Sequence, residues 1–113
     1  MRPMMGALVL LLGVAAPPRG GPNRPPTVHA RCEPCTVQVG KTSTVSADAR
    51  DPDGNRLTYT WNAPAGSLRK ASARRTTWTA PMVEGPVLVN VRVDDRKGGI
   101  ASDVITIQVI KAQ

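Results

Sequence analysis

The sequence of 113 residues has no phenylalanine, and aromatic residues make up only 3% of it. A core without Phe has to be filled by Val, Ile, Leu and Ala. A composition rich in β-branched residues, Gly and Pro favours short strands joined by tight turns. A chain of this length has room for one domain, which is enough for a sandwich core but not for a deep active-site cavity.

Residues that could carry chemistry are also scarce, with two cysteines and one histidine. Cys32 and Cys35 have the C-x-x-C spacing of redox and zinc sites, but no βαβ context accompanies them and only His29 is available as a third zinc ligand. In an exported chain the two cysteines most simply form a short-loop disulfide that pins a kink between two strand segments. Free thiols or an intermolecular bridge are the alternatives, and His29 is interpreted as a surface residue.

Long hydrophobic runs are missing too, since the longest spans only residues 6–16. It is too short to cross a bilayer as a helix but is typical of a signal-peptide core. We therefore predict a signal segment at residues 1–16, either cleaved or kept as a weak anchor, and a Pro/Gly-rich extended linker at residues 17–26. The chain is predicted to be exported to the periplasm, the medium or the cell surface, with a sandwich domain at residues 27–111.

From Thr27 onward, apolar and polar residues alternate in short segments bounded by turn residues, the pattern of half-buried antiparallel strands. The apolar residues of these segments are Val28, Ala30 and Cys32; Val37 and Val39; Val45, Ala47 and Ala49; Leu57, Tyr59 and Trp61; Trp78 and Ala80; Val87, Val89, Val91 and Val93; and Ile105, Ile107 and Val109. About seven strands with turn signals every 8 to 12 residues or so predict an all-β fold, a single Ig-like antiparallel β-sandwich.

Several segments, in their order, support a family resemblance over residues 23–110. They are NRPPTV, DPDGNRLTYTW, TTWTAP, EGPVLVNVRVDD, KGG and ASDVITIQV. Together they resemble bacterial extracellular sandwich repeats of the polycystic-kidney-disease (PKD) and cadherin-like type, although the PKD pattern W-D-F-G-D-G stands here as WNAPAG. The resemblance implies a non-enzymatic Ig-like module of secreted or cell-surface proteins. It also implies calcium ligands at Asn23, Asp51, Asp53 and Asp94.

The DPDGN loop at residues 51–55 has two readings. Calcium binds six to eight oxygen ligands, and the ends of different strands can bring carboxylates to one pole of a sandwich. The candidate ligands are Asp51, Asp53, Asp94 and Asp95, with Asn23 and Asp103 available to complete the shell. Alternatively, the loop is only a tight turn. Arg50 and Arg56 flank the loop, Arg96 follows the pair Asp94 and Asp95, and a guanidinium at the pole would take the cation's place.

The excess of 15 Lys and Arg over 8 Asp and Glu gives a net charge of +7. The charges are scattered except in one segment, whose residues Arg69, Lys70, Arg74 and Arg75, with Trp78, form a candidate binding surface. That segment has no aromatic ladder or recognition helix, so nucleic acid is a disfavoured partner. A solvated, charged strand edge is the simpler interpretation.

Three functions fit the sequence. In each of them the chain acts outside the cell, by binding a protein partner, by associating with copies of itself or by binding a polymer. The first is a structural or adhesion module with calcium as its only cofactor or with none. The second is a subunit of an extracellular filament that assembles by strand or arm exchange. The third is an accessory module that binds a glycan or a polyanion. An enzyme is the least favoured class, because no Ser-His-Asp arrangement or phosphate-binding Gly loop is present.

Overall fold

A computed structural model describes residues 22–113, so the predicted signal segment and linker residues 17–21 lie outside the described part of the chain. This part forms eight strands: β1 (Thr27–Glu33), β2 (Thr36–Gln38), β3 (Thr42–Arg50), β4 (Thr58–Asn62), β5 (Ser67–Leu68), β6 (Arg75–Thr79), β7 (Gly85–Asp94) and β8 (Ile100–Ile110). Over residues 22–113, the structure contains no helix that is long and apolar enough to cross a membrane.

The strands form two four-stranded sheets. One sheet has the order β1-β3-β6-β5 and the other has the order β2-β8-β7-β4. The predicted all-β Ig-like sandwich is therefore confirmed, with eight strands where about seven were expected. The two-residue strand β5 was missed because it is too short to show alternation.

One pairing departs from the predicted antiparallel arrangement, because β2 runs parallel to β8 with Val37 opposite Val109. After β1 the chain crosses to the other sheet without reversing its direction. The next strand, β2, therefore runs the same way as β8 and pairs with it in parallel. A disulfide between Cys32 and Cys35, whose Cα atoms are 5.1 Å apart, lies at this crossing. The predicted bridge and the kink it holds are both confirmed.

The core lies between the sheets and is built from the alternate residues that the sequence assigns to inner faces. Its buried apolar members are Val37, Val45, Ala47, Trp61, Trp78, Ala80, Val87, Val89, Val91, Val93, Ile107 and Val109. The indole N–H groups of Trp61 and Trp78 donate to the backbone carbonyls of Ala73 (2.8 Å) and Ala65 (3.0 Å). Each indole removes on the order of 200 Å² of surface from water, so the two rings supply bulk that Phe provides in other cores.

Candidate functional site

Three segments meet at one end of the sandwich, which we call the entry pole. They are residues 22–26, the loop at residues 51–57 and the turn at residues 95–99 between β7 and β8. Hydrogen bonds from Asn23 and Arg24 tie the first segment to the other two. Residues 22–26, which belong to the predicted linker, are thus attached to the domain.

Asp95 is the buried centre of the entry pole, with 1% of its surface exposed. Its Oδ1 accepts hydrogen bonds from the backbone N–H of Lys97 (2.7 Å) and of Gly99 (2.8 Å), and its Oδ2 accepts one from Nδ2 of Asn23 (2.8 Å). Burial alone raises the pKa of Asp95, but these hydrogen bonds favour the charged form more strongly and bring the pKa below its usual value. Asp95 is therefore an ionised carboxylate that joins the β7–β8 turn to the entering chain.

Arg24 holds Asp53 of the DPDGN loop. The backbone N–H of Arg24 donates to Oδ2 of Asp53 at 2.8 Å, and its Nε and Nη2 both donate to Oδ1, at 2.9 Å and 2.7 Å. The backbone hydrogen bond, followed by the side-chain ones, lowers the pKa of Asp53. A guanidinium thus neutralises this carboxylate, but it comes from the entering chain and not from the arginines that flank the loop.

Asp51 shapes the DPDGN loop from within. Its Oδ2 accepts the backbone N–H of Asp53 (3.1 Å) and of Asn55 (2.8 Å), and its carbonyl accepts the N–H of Gly54 (3.0 Å). The other carboxylate oxygen, Oδ1, is buried and has no hydrogen-bond partner within residues 22–113. The side chain of Asp51 also interacts with that of Asp95. The loop is therefore a tight turn in which one buried carboxylate oxygen has no partner among the described residues.

Two of the acidic residues considered from the sequence lie away from this centre. Oδ1 of Asp94 accepts the N–H of Arg96 (2.7 Å), so that carboxylate caps the turn after β7. Asp103 lies within β8, where its Oδ2 accepts the N–H of Ala30 (2.7 Å) in β1. Asp95, and not Asp94, follows the alternation of β7 into the interior. Within residues 22–113, no three His, Cys, Asp or Glu side chains form a group that could hold a metal ion by themselves.

The basic surface proposed from the sequence is divided in the structure. Trp78 is fully buried, which corrects its assignment to a binding surface. The pairing of β5 with β6 continues through Arg69 and Lys70. Their backbone N–H groups donate to two threonines of β6, one through its carbonyl and the other through its hydroxyl. Arg74 and Arg75 instead line a groove on the outer face of the sheet.

The sandwich of two sheets, with the entering chain fixed to one pole, defines the class of this protein as an Ig-like β-sandwich module. Residues 23–108 match the model of the bacterial Ig domain family, and the chain belongs to that family. The match begins at Asn23, whose side chain is bonded to the entry pole. No significant match exists among curated proteins.

Solved structures share the fold. The PKD1 domain of Vibrio anguillarum Epp is 21% identical with a TM-score of 0.63, and the similarity covers 80% of this chain and 100% of that one. The adhesin InvE of Yersinia pseudotuberculosis is 26% identical with a TM-score of 0.55, over 77% of this chain and 26% of InvE. A nucleoside hydrolase-related protein of Saccharophagus degradans is 19% identical with a TM-score of 0.61, over 78% and 26% of the two chains. The chain thus spans about a quarter of the two longer proteins.

Proposed function

We propose that this domain is a non-catalytic structural and adhesive module of the bacterial cell exterior that carries load between its two ends. The observation that carries the proposal is the path of the chain. The chain enters the sandwich at the entry pole, and β8 starts beside that pole and runs to the opposite one. The family assignment and the likeness to part of the adhesin InvE support the same class of function.

The pairing of β2 with β8 suits a load applied at opposite poles. These strands are parallel neighbours, so such a load slides one along the other and stretches their hydrogen bonds together. Two further backbone bonds flank the ladder: the N–H of Gln108 donates to Cys35 (2.9 Å), and the N–H of Val39 donates to Ile110 (2.9 Å). Bonds that are loaded together resist force better than bonds that open one at a time.

Pulling the full chain by its two ends in a force spectrometer tests this proposal. We expect the domain to unfold in one step, and we expect Val39→Pro to lower the unfolding force because proline cannot donate the bond to Ile110. Val83→Pro, in an exposed turn, is the matched control and should unfold at nearly the original force. An unfolding force that Val39→Pro leaves unchanged would show that the β2–β8 pairing does not carry the load.

We further propose that the entry pole binds calcium weakly. The oxygens that would bind it are Oδ1 of Asp51, which has no partner among residues 22–113, and Oδ2 of Asp95 and Oδ1 of Asn23, which each accept one hydrogen bond, from the amides of Asn23 (2.8 Å) and Asn55 (3.3 Å). Asp53 remains with Arg24. Backbone carbonyls and water would complete the shell, and so few carboxylates fit the affinity of extracellular modules, with Kd on the order of 10⁻⁴ to 10⁻³ M. A bound ion would neutralise the facing carboxylates and stiffen the junction between the entering chain and the domain.

Thermal unfolding in chelator and in millimolar calcium tests the calcium proposal. A ligand that binds only the folded state at ten times its Kd stabilises by about 1.4 kcal/mol, so Tm should rise by several degrees. Asp51→Asn keeps one side-chain oxygen that accepts the N–H groups of the turn. It replaces the unpaired oxygen by an NH₂ group, which can donate a hydrogen bond to Asp95. This variant should be at least as stable as the original in chelator and should no longer respond to calcium. An equal calcium response in both proteins would contradict the site.

A further inference from the structure

The sheet β1-β3-β6-β5 has a groove on its outer face, away from the entry pole. The groove has a volume of about 390 Å³ and is lined by Arg31, Ser46, Ala47, Asp48, Arg74 and Arg75. Arg31 in β1 lies opposite Ser46 in β3, and Ser46 lies opposite Arg75 in β6, so the three residues form one row across the sheet. Neighbouring strands are about 4.8 Å apart, which places the two arginine backbones about 10 Å apart with the serine between them.

The guanidinium groups of the groove are available to a ligand to different degrees. Nε of Arg74 donates to the carbonyl of Ala47 (3.1 Å), which orients that side chain. Nη2 of Arg31 lies 3.9 Å from Oδ2 of Asp48, and the two side chains are 70% and 44% exposed, so this long and partly solvated ion pair contributes little. Arg75 is exposed and has no ion pair within the part of the chain that the structure describes. At least two guanidinium groups can therefore turn towards a bound anion.

We propose that this groove binds an acidic polysaccharide. Guanidinium groups bind carboxylates and sulfate esters through paired N–H donors. Asp48 can accept hydrogen bonds from sugar hydroxyls, and the Ser46 hydroxyl can donate or accept. A polysaccharide with anionic groups next to free hydroxyls matches this mixed set, because its hydroxyls can donate to Asp48, whereas a polymer of phosphates has no hydroxyls to offset the repulsion from that carboxylate.

Nucleic acid fits the groove less well. Proteins that bind single strands stack bases on aromatic side chains, and those that read duplexes insert a helix or ribbon into a groove. Neither tryptophan is available here, because Trp61 and Trp78 are both buried in the core. The groove is also independent of the calcium proposal and of the load-bearing proposal, since it shares no residue with the entry pole or with the β2–β8 pairing.

The test is binding of the full chain to labelled polygalacturonate oligosaccharides, measured by fluorescence anisotropy in chelator. We expect binding by the original chain and a Kd about tenfold or more higher for the double variant Arg31→Ala/Arg75→Ala, because two charged contacts are lost. The charge-matched double variant Arg92→Ala/Lys111→Ala, with both changes at exposed positions outside the groove, should alter Kd by less than about twofold. If the alanine variant does not fold, Arg31→Lys/Arg75→Lys retains the charge but loses the paired donors and should still weaken binding.

A second variant separates the polysaccharide from simple anions. Asp48→Asn should strengthen binding of polyphosphate, because a repelling charge is removed, and should change binding of polygalacturonate by a smaller factor, because the same relief is offset there by the loss of a charged acceptor for the sugar hydroxyls. Absence of polygalacturonate binding, or an equal loss in the groove and control double variants, would overturn the proposal. Binding of polyphosphate or a DNA oligonucleotide as tight as that of polygalacturonate would overturn it in favour of a general phosphate surface.

Discussion

Replacement of Gly66 by alanine is expected to lower the free energy of unfolding by about 2–5 kcal/mol. Gly66 has φ of +79°, a left-handed conformation that costs a residue with a Cβ about 1–2 kcal/mol. The added Cβ would also lie 2.7 Å from the indole ring of Trp78 and would collide with the backbone carbonyl of Thr79. A backbone group cannot turn aside as a flexible side chain can, and overpacking of this kind costs about 1–3 kcal/mol more. Urea denaturation measures the loss.

Gly54→Ala is the matched control for this prediction. Gly54 has nearly the same φ, +73°, but nothing lies within 4 Å of the position its Cβ would take. Its replacement should therefore cost only the conformational part, about 1–2 kcal/mol. If the two variants lose the same stability, the contact between Gly66 and Trp78 is looser than the structure shows.

Replacement of Asp95 by alanine is expected to lower Tm by about 10 °C or more, because the buried acceptor for three N–H donors is lost. The backbone N–H of Lys97 and of Gly99 would lose their partner inside the turn, and the amide of Asn23 would lose its hold on the domain. Thermal unfolding at pH 7 gives the loss. Asp94→Ala is the control, since Asp94 caps only the N–H of Arg96, and it should lower Tm by only a few degrees.

The Asp95 prediction also has a pH dependence. The folded-state pKa of Asp95 lies below its unfolded value, so the stabilisation is fully present above the usual aspartate pKa of about 4 and is lost as the pH falls through the folded value. The difference in Tm between the original chain and Asp95→Ala should thus be constant from pH 7 to about pH 5 and should narrow below about pH 4. A difference that grows on acidification would mean that Asp95 is not ionised in the folded protein.

The strand pattern was predictable because burial on one face of a strand repeats every second residue. The four valines Val87, Val89, Val91 and Val93 alternate with more exposed residues along β7 as the sequence indicates. The pairing of Cys32 with Cys35 was predictable as well, since a chain with two nearby cysteines and no metal-site context has few alternatives. Strand β5 was not predictable, because two residues carry no period.

The candidate sites were only partly predictable. Acidic residues at turns indicated the entry pole, and the alternation of β7, continued one step beyond Val93, places Asp95 inward and leaves Asp94 to cap the turn. This signal was present in the sequence, but the family resemblance pointed to Asp94 instead. Arg24 was missed because it stands in a Pro-rich segment whose composition indicates a linker. Arg31 was missed as a neighbour of Arg75 because the two come together only through β3, which pairs with both their strands.

The sequence by itself determined the class of fold, the faces of the strands and the short disulfide, because each depends on residues close together in the chain. Tertiary structure alone decided which residues make the entry pole and the groove. Asn23 and Asp95 are 72 positions apart, and Arg24 and Asp53 are 29 apart, so no local pattern connects them. Their contacts follow from the stacking of two sheets and from the chain entering at one pole, and strand alternation specifies neither of these.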